Sequence, residues 1–303
     1  MLTCDTYLMP RTLAEALEIW STAPEGSRLV AGATDILPWA REGRAGDVHL
    51  PMMLDVTRVA ELQGYSLTGD KVRLGANVVY QQFLEDAELI RLLPNLPYCA
   101  AWFADDQIRQ QATLVGNVVN ASPAGDGIPP VLTHDGTIEL ARLEDGEVRT
   151  RSMAIADFIT GPGKTDLAPG EIATSVTLDA MPGYGGSFQK VGQRRSLVIS
   201  AICCAGLVKT DGQVFEDVRL ALGGIGPRPI RLYETEKMLK GQPMTRELVA
   251  RASVGMADLV ASRSRIAYRR AVVGGFVEAA IEDALVALGA PKPTPEMRET
   301  SHV

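Results

Sequence analysis

Residues 113–126, TLVGNVVNASPAGD, have a composition that an ordinary connecting loop does not need. Glycine, asparagine, serine and aspartate dominate the stretch, and its larger apolar side chains are Leu114 and three valines. A hairpin turn needs roughly two to five turn residues, so this run is too long for that explanation. Because short side chains let other groups approach the main chain closely, we predict a loop whose backbone is exposed to a ligand.

A second run of small residues occurs in LVAGATDI, residues 29–36, where a strand-like sequence breaks down before Asp35. Successive main-chain N–H groups form anion-binding concavities, and the hydroxyls of Thr34, Thr113 and Ser122 would add donors. A diphosphate fits such a groove. The sequence has neither a P-loop nor a strand–GxGxxG–helix fingerprint, so from the residues alone two plain turns stay open as the alternative.

Composition limits the class of protein. The 303 residues leave room for two domains, and the fractions of 46% hydrophobic and 22% charged residues are those of a globular protein. The net charge of −7 argues against a nucleic-acid partner. The sequence offers neither the apolar run of about 20 residues that a membrane span requires nor the apolar core of a signal peptide, which predicts a cytoplasmic protein.

Cysteines and histidines indicate no metal site. The four cysteines, which include the adjacent pair Cys203 and Cys204, have no C-x-x-C spacing, and the three histidines lie far apart in sequence. We therefore expect the cysteines to be buried small apolar residues and the histidines to be surface or packing residues.

The order of patterns predicts an α+β fold. The N-terminal part contains a helix, two strands, two hairpins, a long helical stretch and a closing strand. These are predicted in residues 11–23 (helix), 27–32 and 51–57 (strands), 65–76 and 136–153 (hairpins), 81–104 (helical, broken at Pro94 and Pro97) and 171–179 (strand).

A Pro/Gly-rich joint at residues 180–186 separates a second region. Three strand-like runs follow in residues 186–192, 200–209 and 214–226, and two helices are predicted around 245–261 and 268–288. The sequence thus divides into a domain of residues 1–181, with parts of about 1–57 and 58–181, a domain of residues 182–289, and a flexible tail of residues 290–303.

Five stretches in order resemble the FAD-binding medium subunit of the molybdenum hydroxylases, the group of xanthine dehydrogenase and carbon monoxide dehydrogenase. They are LVAGATDI, FADDQIRQQA, TLVGNVVNASPAGD, TDLAPGEIATSVTL and FQKVGQRRSLVISAICCAGLV. The resemblance covers nearly the whole chain. It implies a two-part FAD-binding domain of the vanillyl-alcohol-oxidase/PCMH type, followed by a smaller C-terminal domain of sheet and helices.

The resemblance also implies a division of labour. A large subunit carries molybdopterin and oxidises the substrate, with a purine or another N-heterocycle favoured, and a small subunit carries two [2Fe–2S] clusters. This chain would hold FAD non-covalently and pass electrons to NAD, oxygen, a quinone or another acceptor. A dimer of heterotrimers is expected.

The family pattern assigns site residues. Phe103 matches an aromatic ring near the isoalloxazine, Asp126 a carboxylate that binds FAD, Leu167 a backbone contact, and Lys190 a cation beside the flavin. The residues of the two loops expected at the pyrophosphate and ribityl chain are Leu29, Val30, Ala31, Gly32, Ala33, Thr34, Asp35, Ile36, Thr113, Gly116, Asn117 and Ser122. No catalytic and no metal-binding residue is predicted.

Each of the side-chain assignments has an alternative. Phe103 would serve equally as a core residue, Asp126 as a helix N-cap, and Lys190 as a solvated strand residue. Ala33 and Val115 stand where the family usually has glycine, so both are expected at negative φ. Two other functions stay open: a self-contained flavin oxidase of the vanillyl-alcohol-oxidase fold, and a flavin-free scaffold between subunits.

Overall fold

The computed structural model describes residues 1–41, 49–194, 197–261 and 264–289, which form a mixed structure of helices and strands. The strands are β1 Thr3–Leu8, β2 Arg28–Val30, β3 His49–Asp55, β4 Tyr65–Thr68, β5 Lys71–Gly75, β6 Thr137–Glu144, β7 Glu147–Ala154, β8 Ile159–Gly161, β9 Lys164–Thr165, β10 Ile172–Asp179, β11 Gly185–Val191, β12 Ile202–Thr210, β13 Phe215–Gly223 and β14 Ile230–Arg231. The α-helices are α1 Leu13–Ser21, α2 Ile36–Arg41, α3 Gln82–Glu85, α4 Ala87–Leu92, α5 Leu96–Trp102, α6 Asp106–Arg109, α7 Leu114–Asn120, α8 Ile128–Thr133, α9 Ile155–Phe158, α10 Tyr233–Leu239, α11 Arg246–Ser253 and α12 Ile266–Ala287.

The chain forms two compact units. Unit 1 comprises Met1–Asp86, Phe103–Ser122 and Asp135–Ala180. Unit 2 comprises Ala87–Trp102, Pro123–His134 and Met181–Val303. Two segments that precede the Pro/Gly-rich joint in sequence therefore belong to unit 2.

Unit 1 contains two larger sheets. The parallel sheet has the order β1-β3-β2, and the antiparallel sheet has the order β4-β5-β10-β6-β7. Helix α1 begins at the N-cap Thr12, whose hydroxyl accepts a hydrogen bond from the Glu15 N–H at 3.2 Å. The two sheets supply the scaffold for the loops after β2 and before α7.

The two predicted hairpins are confirmed. In the β6–β7 turn, Asp145 and Gly146 both have positive φ, at 52° and 78°, as a two-residue turn between twisted strands requires. The β4–β5 turn places Gly69 at a φ of 60°. A closing strand is also confirmed, because β10 pairs with β5 on one side and with β6 on the other.

Unit 2 is built on the antiparallel sheet β11-β12-β13-β14, covered on both faces. Adjacent glycines of β11 point to opposite faces. A Cβ on Gly185 would lie 1.9 Å from the Ala284 carbonyl oxygen of α12, and one on Gly186 would lie 2.1 Å from the Pro94 carbonyl oxygen. A main apolar core of this unit joins β12 and β13 to α12, including Val273, Val277 and Ile281.

Two predictions about helices were wrong in detail, and one helix was not predicted. Pro97 does not break a helix but occupies the second position of α5, because the N–H groups of a first turn have no intrahelical acceptor. The stretch expected as one helix over 245–261 ends at Ser253, and a separate 3₁₀ turn follows at Met256–Leu259. Helix α10 was missed.

The expectation that the cysteines are mostly buried agrees with the described residues. Cys99, Cys203 and Cys204 are buried free thiols, and Cys4 is half-buried. No group of three potential metal ligands occurs among the residues that the structure describes. Within the same residues, no helix combines the length and the apolar character needed to cross a bilayer. The expected tail of residues 290–303 lies outside the described ranges.

Candidate functional site

The loop between β2 and α2 presents a run of unused main-chain donors. Within the described part of the chain, the N–H groups of residues 31–35 donate to no protein acceptor. These residues are half-buried to exposed, so the donors are accessible. Consecutive free N–H groups of this kind form an anion-binding concavity.

Ala33 is central to that loop's shape. Its φ is +53°, which is the left-handed region, so the expectation of a negative φ was wrong. The physical reason is the sharp entry into α2, whose first bond runs from the Leu37 N–H to the Ala33 carbonyl at 3.2 Å. Alanine is strained in this conformation by roughly 1 kcal/mol compared with glycine, and the surrounding structure holds it there.

Gly32 allows two segments of unit 1 to touch. A Cβ built on it would lie 1.9 Å from the Gln111 carbonyl oxygen and 3.1 Å from the Ala112 nitrogen. The glycine is therefore required for close packing of the first loop against the residues before Thr113. A larger side chain at position 32 would first displace Gln111, rather than project into a ligand's path.

The second predicted loop is largely a helix. Residues 114–120 form α7, and the Thr113 hydroxyl caps it by accepting a hydrogen bond from the Gly116 N–H at 3.0 Å. Leu114, Val115 and Val118 are buried on one face, so the prediction of exposed backbone was wrong over the helix. Val115 has helical dihedrals and thus a negative φ, as expected. The helix includes Asn117, and Ser122 is the last residue of unit 1 in this segment.

Phe103 stacks on an aromatic neighbour in unit 1. Its ring lies parallel to that of Tyr80, with a centroid separation of 3.8 Å and an interplanar angle of 5°. Tyr80 is fully buried, whereas Phe103 is half-buried. Tyr80 thus covers one face of the Phe103 ring and fixes the orientation of the ring, including that of its opposite face.

The loop containing Leu167 is held by a charged cluster of unit 1. The Arg151 guanidinium binds Glu171 through two N–H groups, at 2.6 and 2.8 Å, and also donates to the Asp166 carbonyl oxygen at 2.5 Å. Glu171 in turn accepts from the Ala168 N–H at 2.7 Å. The hydrogen bonds from Arg151 hold the pKa of Glu171 below its ordinary value.

Unit 2 brings together Asp126 and Lys190, which are 64 positions apart in sequence. The Lys190 Nζ donates to Asp126 Oδ2 at 2.6 Å, and the side chains are 3% and 8% exposed. Lys190 is therefore not a solvated strand residue. Asp126 is not an N-cap either, because Gly127 occupies the cap position of α8 and makes no side-chain cap bond.

Ser200 completes this network and was missed by the sequence analysis. Its hydroxyl donates to Asp126 Oδ1 at 2.5 Å, so each carboxylate oxygen has one partner. Burial raises the pKa of the Asp126 carboxyl, while the Lys190 ammonium and the Ser200 hydroxyl act in the opposite direction. A lone serine in an apolar run carries no signal that could have identified it.

The Lys190 ammonium retains a free donor. In the described residues its acceptors are Asp126 and the Trp102 carbonyl oxygen, the latter at 3.3 Å. An ammonium has three N–H donors, so one is left without a protein acceptor in a buried position. A buried unused donor on a cation indicates a place for a polar or anionic ligand atom.

Comparison with known proteins identifies both parts of the chain. Residues 3–179 match the family described as FAD binding domain in molybdopterin dehydrogenase, and residues 187–284 match the CO dehydrogenase flavoprotein C-terminal domain. The xanthine dehydrogenase FAD-binding subunit of Escherichia coli O157:H7 is 31% identical over 262 residues, which are 86% of this chain and 87% of that protein. The carbon monoxide dehydrogenase medium chain of Hydrogenophaga pseudoflava is 25% identical over 92% of this chain and 96% of its own length.

Solved structures share the fold. A Cu,Mo-CO dehydrogenase chain in its cyanide-inactivated form superposes with a TM-score of 0.87 at 22% identity, covering 95% of this chain and 99% of that one. A chain of quinoline 2-oxidoreductase from Pseudomonas putida 86 gives a TM-score of 0.83 at 24% identity, covering 94% and 97%. From the two family matches and these relatives, the chain belongs to the FAD-binding medium subunits of the molybdenum hydroxylases and is an oxidoreductase subunit.

Proposed function

We propose that this chain carries FAD non-covalently and transfers electrons within a molybdenum hydroxylase. Electrons would arrive from [2Fe–2S] clusters of a small subunit and leave to NAD, oxygen, a quinone or another acceptor. The observation that carries the proposal is the run of free main-chain donors at residues 31–35 of unit 1.

The residues of unit 1 fit the diphosphate part of FAD. Phosphate oxygens require several hydrogen-bond donors, and successive free amides supply such donors. The hydroxyls of Thr34 and Ser122 lie in the two proposed loops and add to this set. Loop residues proposed for FAD binding are Leu29, Val30, Ala31, Gly32, Ala33, Thr34, Asp35, Ile36, Thr113, Gly116, Asn117 and Ser122.

Side chains are proposed to meet the flavin ring. Phe103 would contribute the ring face that Tyr80 does not cover, and Leu167 a main-chain contact from the loop braced by Arg151. Lys190 would place its free N–H at a flavin atom, and Asp126 would hold the ammonium in position. FAD supplies the exchange between one- and two-electron chemistry.

Lys190 has an electrostatic role in this proposal. A positive charge in a site screened from water stabilises nearby negative charge far more than it would in solution. The Asp126 carboxylate reduces that effect, because the pair is neutral overall, but the ammonium would be the nearer of the two charges. The pair therefore favours the reduced cofactor without leaving an unpaired buried ion.

We propose that the complete enzyme contains two further subunits, a large one with molybdopterin and a small one with the clusters, assembled as a dimer of heterotrimers in the cytoplasm. The substrate, a purine or another N-heterocycle, would be oxidised in the large subunit. A fold of the vanillyl-alcohol-oxidase/PCMH type, with functional domains 1–181 and 182–289, belongs to the same proposal. Its support is the set of medium-chain relatives.

A flavin spectrum tests the proposal against its alternatives. The purified protein is precipitated with acid, and the supernatant and pellet are examined for flavin. FAD in the supernatant supports non-covalent binding. Flavin retained in the pellet would identify a self-contained oxidase with a covalent link, and a protein that neither contains nor takes up FAD would be a scaffold.

Copurification tests the assembly. Tagged protein from its native cells is expected to bring down two partners, one containing molybdenum and one containing iron and labile sulfide. Recovery of a monodisperse monomer that oxidises substrate unaided would contradict the proposed division of labour.

A further inference from the structure

The side chains of Ser200, Asp126 and Lys190 form a hydrogen-bonded chain in unit 2. Each oxygen of the Asp126 carboxylate accepts one hydrogen bond, from Ser200 at 2.5 Å and from Lys190 at 2.6 Å. Ser200 is 3% exposed, so its hydroxyl is shielded from bulk water. Ser200 thus determines which carboxylate oxygen is available to the ammonium.

The main chain directly after Ser200 is fixed at Ala201. The Ala201 N–H donates to the Val191 carbonyl at 2.7 Å, next to Lys190 on β11. The buried Arg269 guanidinium donates to the Ala201 carbonyl oxygen. Because the backbone is held by these two contacts, the Ser200 hydroxyl reaches Asp126 from a defined direction.

We propose that Ser200 is a positioning residue that keeps the Asp126 carboxylate ionised and oriented, and thereby fixes the Lys190 ammonium for its ligand. The proposal rests on the proposed function for the identity of that ligand, the flavin. The hydrogen bond from Ser200 to Asp126 carries the assignment.

The charge state of Asp126 depends on few neighbours. The Lys190 ammonium faces the carboxylate directly. The Cys99 thiol donates to the Asp126 main-chain oxygen at 3.3 Å, and the Cys203 thiol of β12 is also close enough to interact electrostatically. Burial raises the pKa of both thiols well above the ordinary range, so they stay neutral beside the carboxylate.

Loss of the Ser200 hydroxyl should shift the pKa of Asp126 in a defined direction. A hydrogen bond to the ionised carboxylate favours that form, so its removal raises the pH at which Asp126 takes up a proton. Below that pH the network carries one positive charge in place of a neutral pair. A net positive charge beside the flavin raises the flavin's reduction potential. As the pH is lowered, this rise should therefore begin at a higher pH in Ser200→Ala than in the wild type.

The test compares wild type with Ser200→Ala and Ser200→Thr, which retains a hydroxyl. Ser187→Ala is the matched control, because Ser187 is equally buried on β11 but donates to the Ala280 carbonyl at 2.6 Å. The midpoint potential of bound FAD is titrated against pH. In Ser200→Ala, we expect the rise in potential that accompanies protonation of Asp126 to occur about one pH unit higher than in the wild type. In Ser200→Thr and in Ser187→Ala, the rise should occur at the wild-type pH.

A second readout does not use flavin. The carboxyl ¹³C signal of Asp126, assigned by its absence in Asp126→Asn, is titrated in the flavin-free protein. The midpoint of this titration should again lie at a higher pH in Ser200→Ala than in the wild type. Equal titration curves in Ser200→Ala and wild type would overturn the positioning role, whereas a protein that binds no FAD but shows the NMR shift would overturn only the proposed function.

Discussion

The candidate binding region of unit 1 and that of unit 2 use different parts of the chain. The loop at residues 31–35 offers main-chain N–H groups and owes its shape to Gly32 and Ala33. The network in unit 2 consists of the side chains of Asp126, Lys190 and Ser200. Main-chain donors bind a ligand without carrying a net charge, while a buried ion pair changes the energy of charge on the ligand. We infer that the first region determines affinity for FAD and the second its reduction potential.

Breaking the buried pair should have the largest effect on stability. Lys190→Met leaves Asp126 without its cation in a dry site, and we expect a loss of about 3 kcal/mol in the free energy of unfolding. Urea denaturation at pH 7 measures it. In the double variant Lys190→Met/Asp126→Asn no charge is stranded, so its loss should be smaller than that of Lys190→Met alone.

The exposed pair Lys209–Glu216 is the matched control. Its atoms are 3.3 Å apart, but the side chains are 48% and 40% exposed. Lys209→Met should cost less than about 0.5 kcal/mol. Similar losses in Lys190→Met and Lys209→Met would show that the buried pair contributes no more to stability than an exposed ion pair.

Gly32→Ala should cause the second-largest loss of stability. The added methyl group meets the Gln111 carbonyl at 1.9 Å, so the loop must move at a cost of about 2 kcal/mol. FAD affinity should fall with it because the donor run is displaced. Thermal unfolding and flavin fluorescence titration measure the two effects. Gly275→Ala, where a Cβ meets nothing within 4 Å, should be neutral or stabilising.

The Arg151–Glu171 pair predicts a dependence on pH. Glu171 has a lowered pKa in the folded protein, so its contribution to stability is present above about pH 4.3, the ordinary glutamate value, and is lost as the pH falls through the folded value. Arg151→Met should remove about 1 kcal/mol at pH 7 and less at pH 3. An equal loss at both pH values would mean that packing of Arg151, rather than its charge, stabilises the 166–171 loop.

The hydroxyl that caps α7 should contribute on the same scale as the Arg151–Glu171 pair. Thr113→Ala removes the acceptor for the Gly116 N–H and should cost about 1 kcal/mol, whereas Thr113→Ser should retain most of the stability. Chemical denaturation of the two variants side by side measures the difference. A Thr113→Ser loss as large as that of Thr113→Ala would show that the methyl group, and not the hydroxyl, matters.

Strands were predicted better than the site. The hairpins and the three long strands of unit 2 follow from alternating apolar residues and from turn dipeptides such as Asp145–Gly146, which are local signals. Residues 114–120 were misjudged, because the small residues of this stretch suggested a loop while Leu114, Val115 and Val118 supply a buried helix face. Short helices depend on tertiary burial that composition does not reveal.

Long-range contacts explain the remaining differences. Ser200 and Asp126 are 74 positions apart, and nothing local to either residue predicts their hydrogen bond. The positive φ of Ala33 likewise results from tertiary constraint, against the local preference of alanine. Lys190 and Asp126 were each assigned to the site through the family resemblance, but their direct ion pair emerged only from the structure.

The midpoint potential of FAD bound to Lys190→Met tests the separation of affinity from potential most directly. Redox titration at pH 7 should give a potential at least about 30 mV below that of wild type, equivalent to about 1.4 kcal/mol for two electrons, with FAD still bound. Lys190→Arg, which keeps the charge, should lie between the two. An unchanged potential in Lys190→Met with full FAD occupancy would contradict the account, because the buried ammonium would then have no influence on the cofactor.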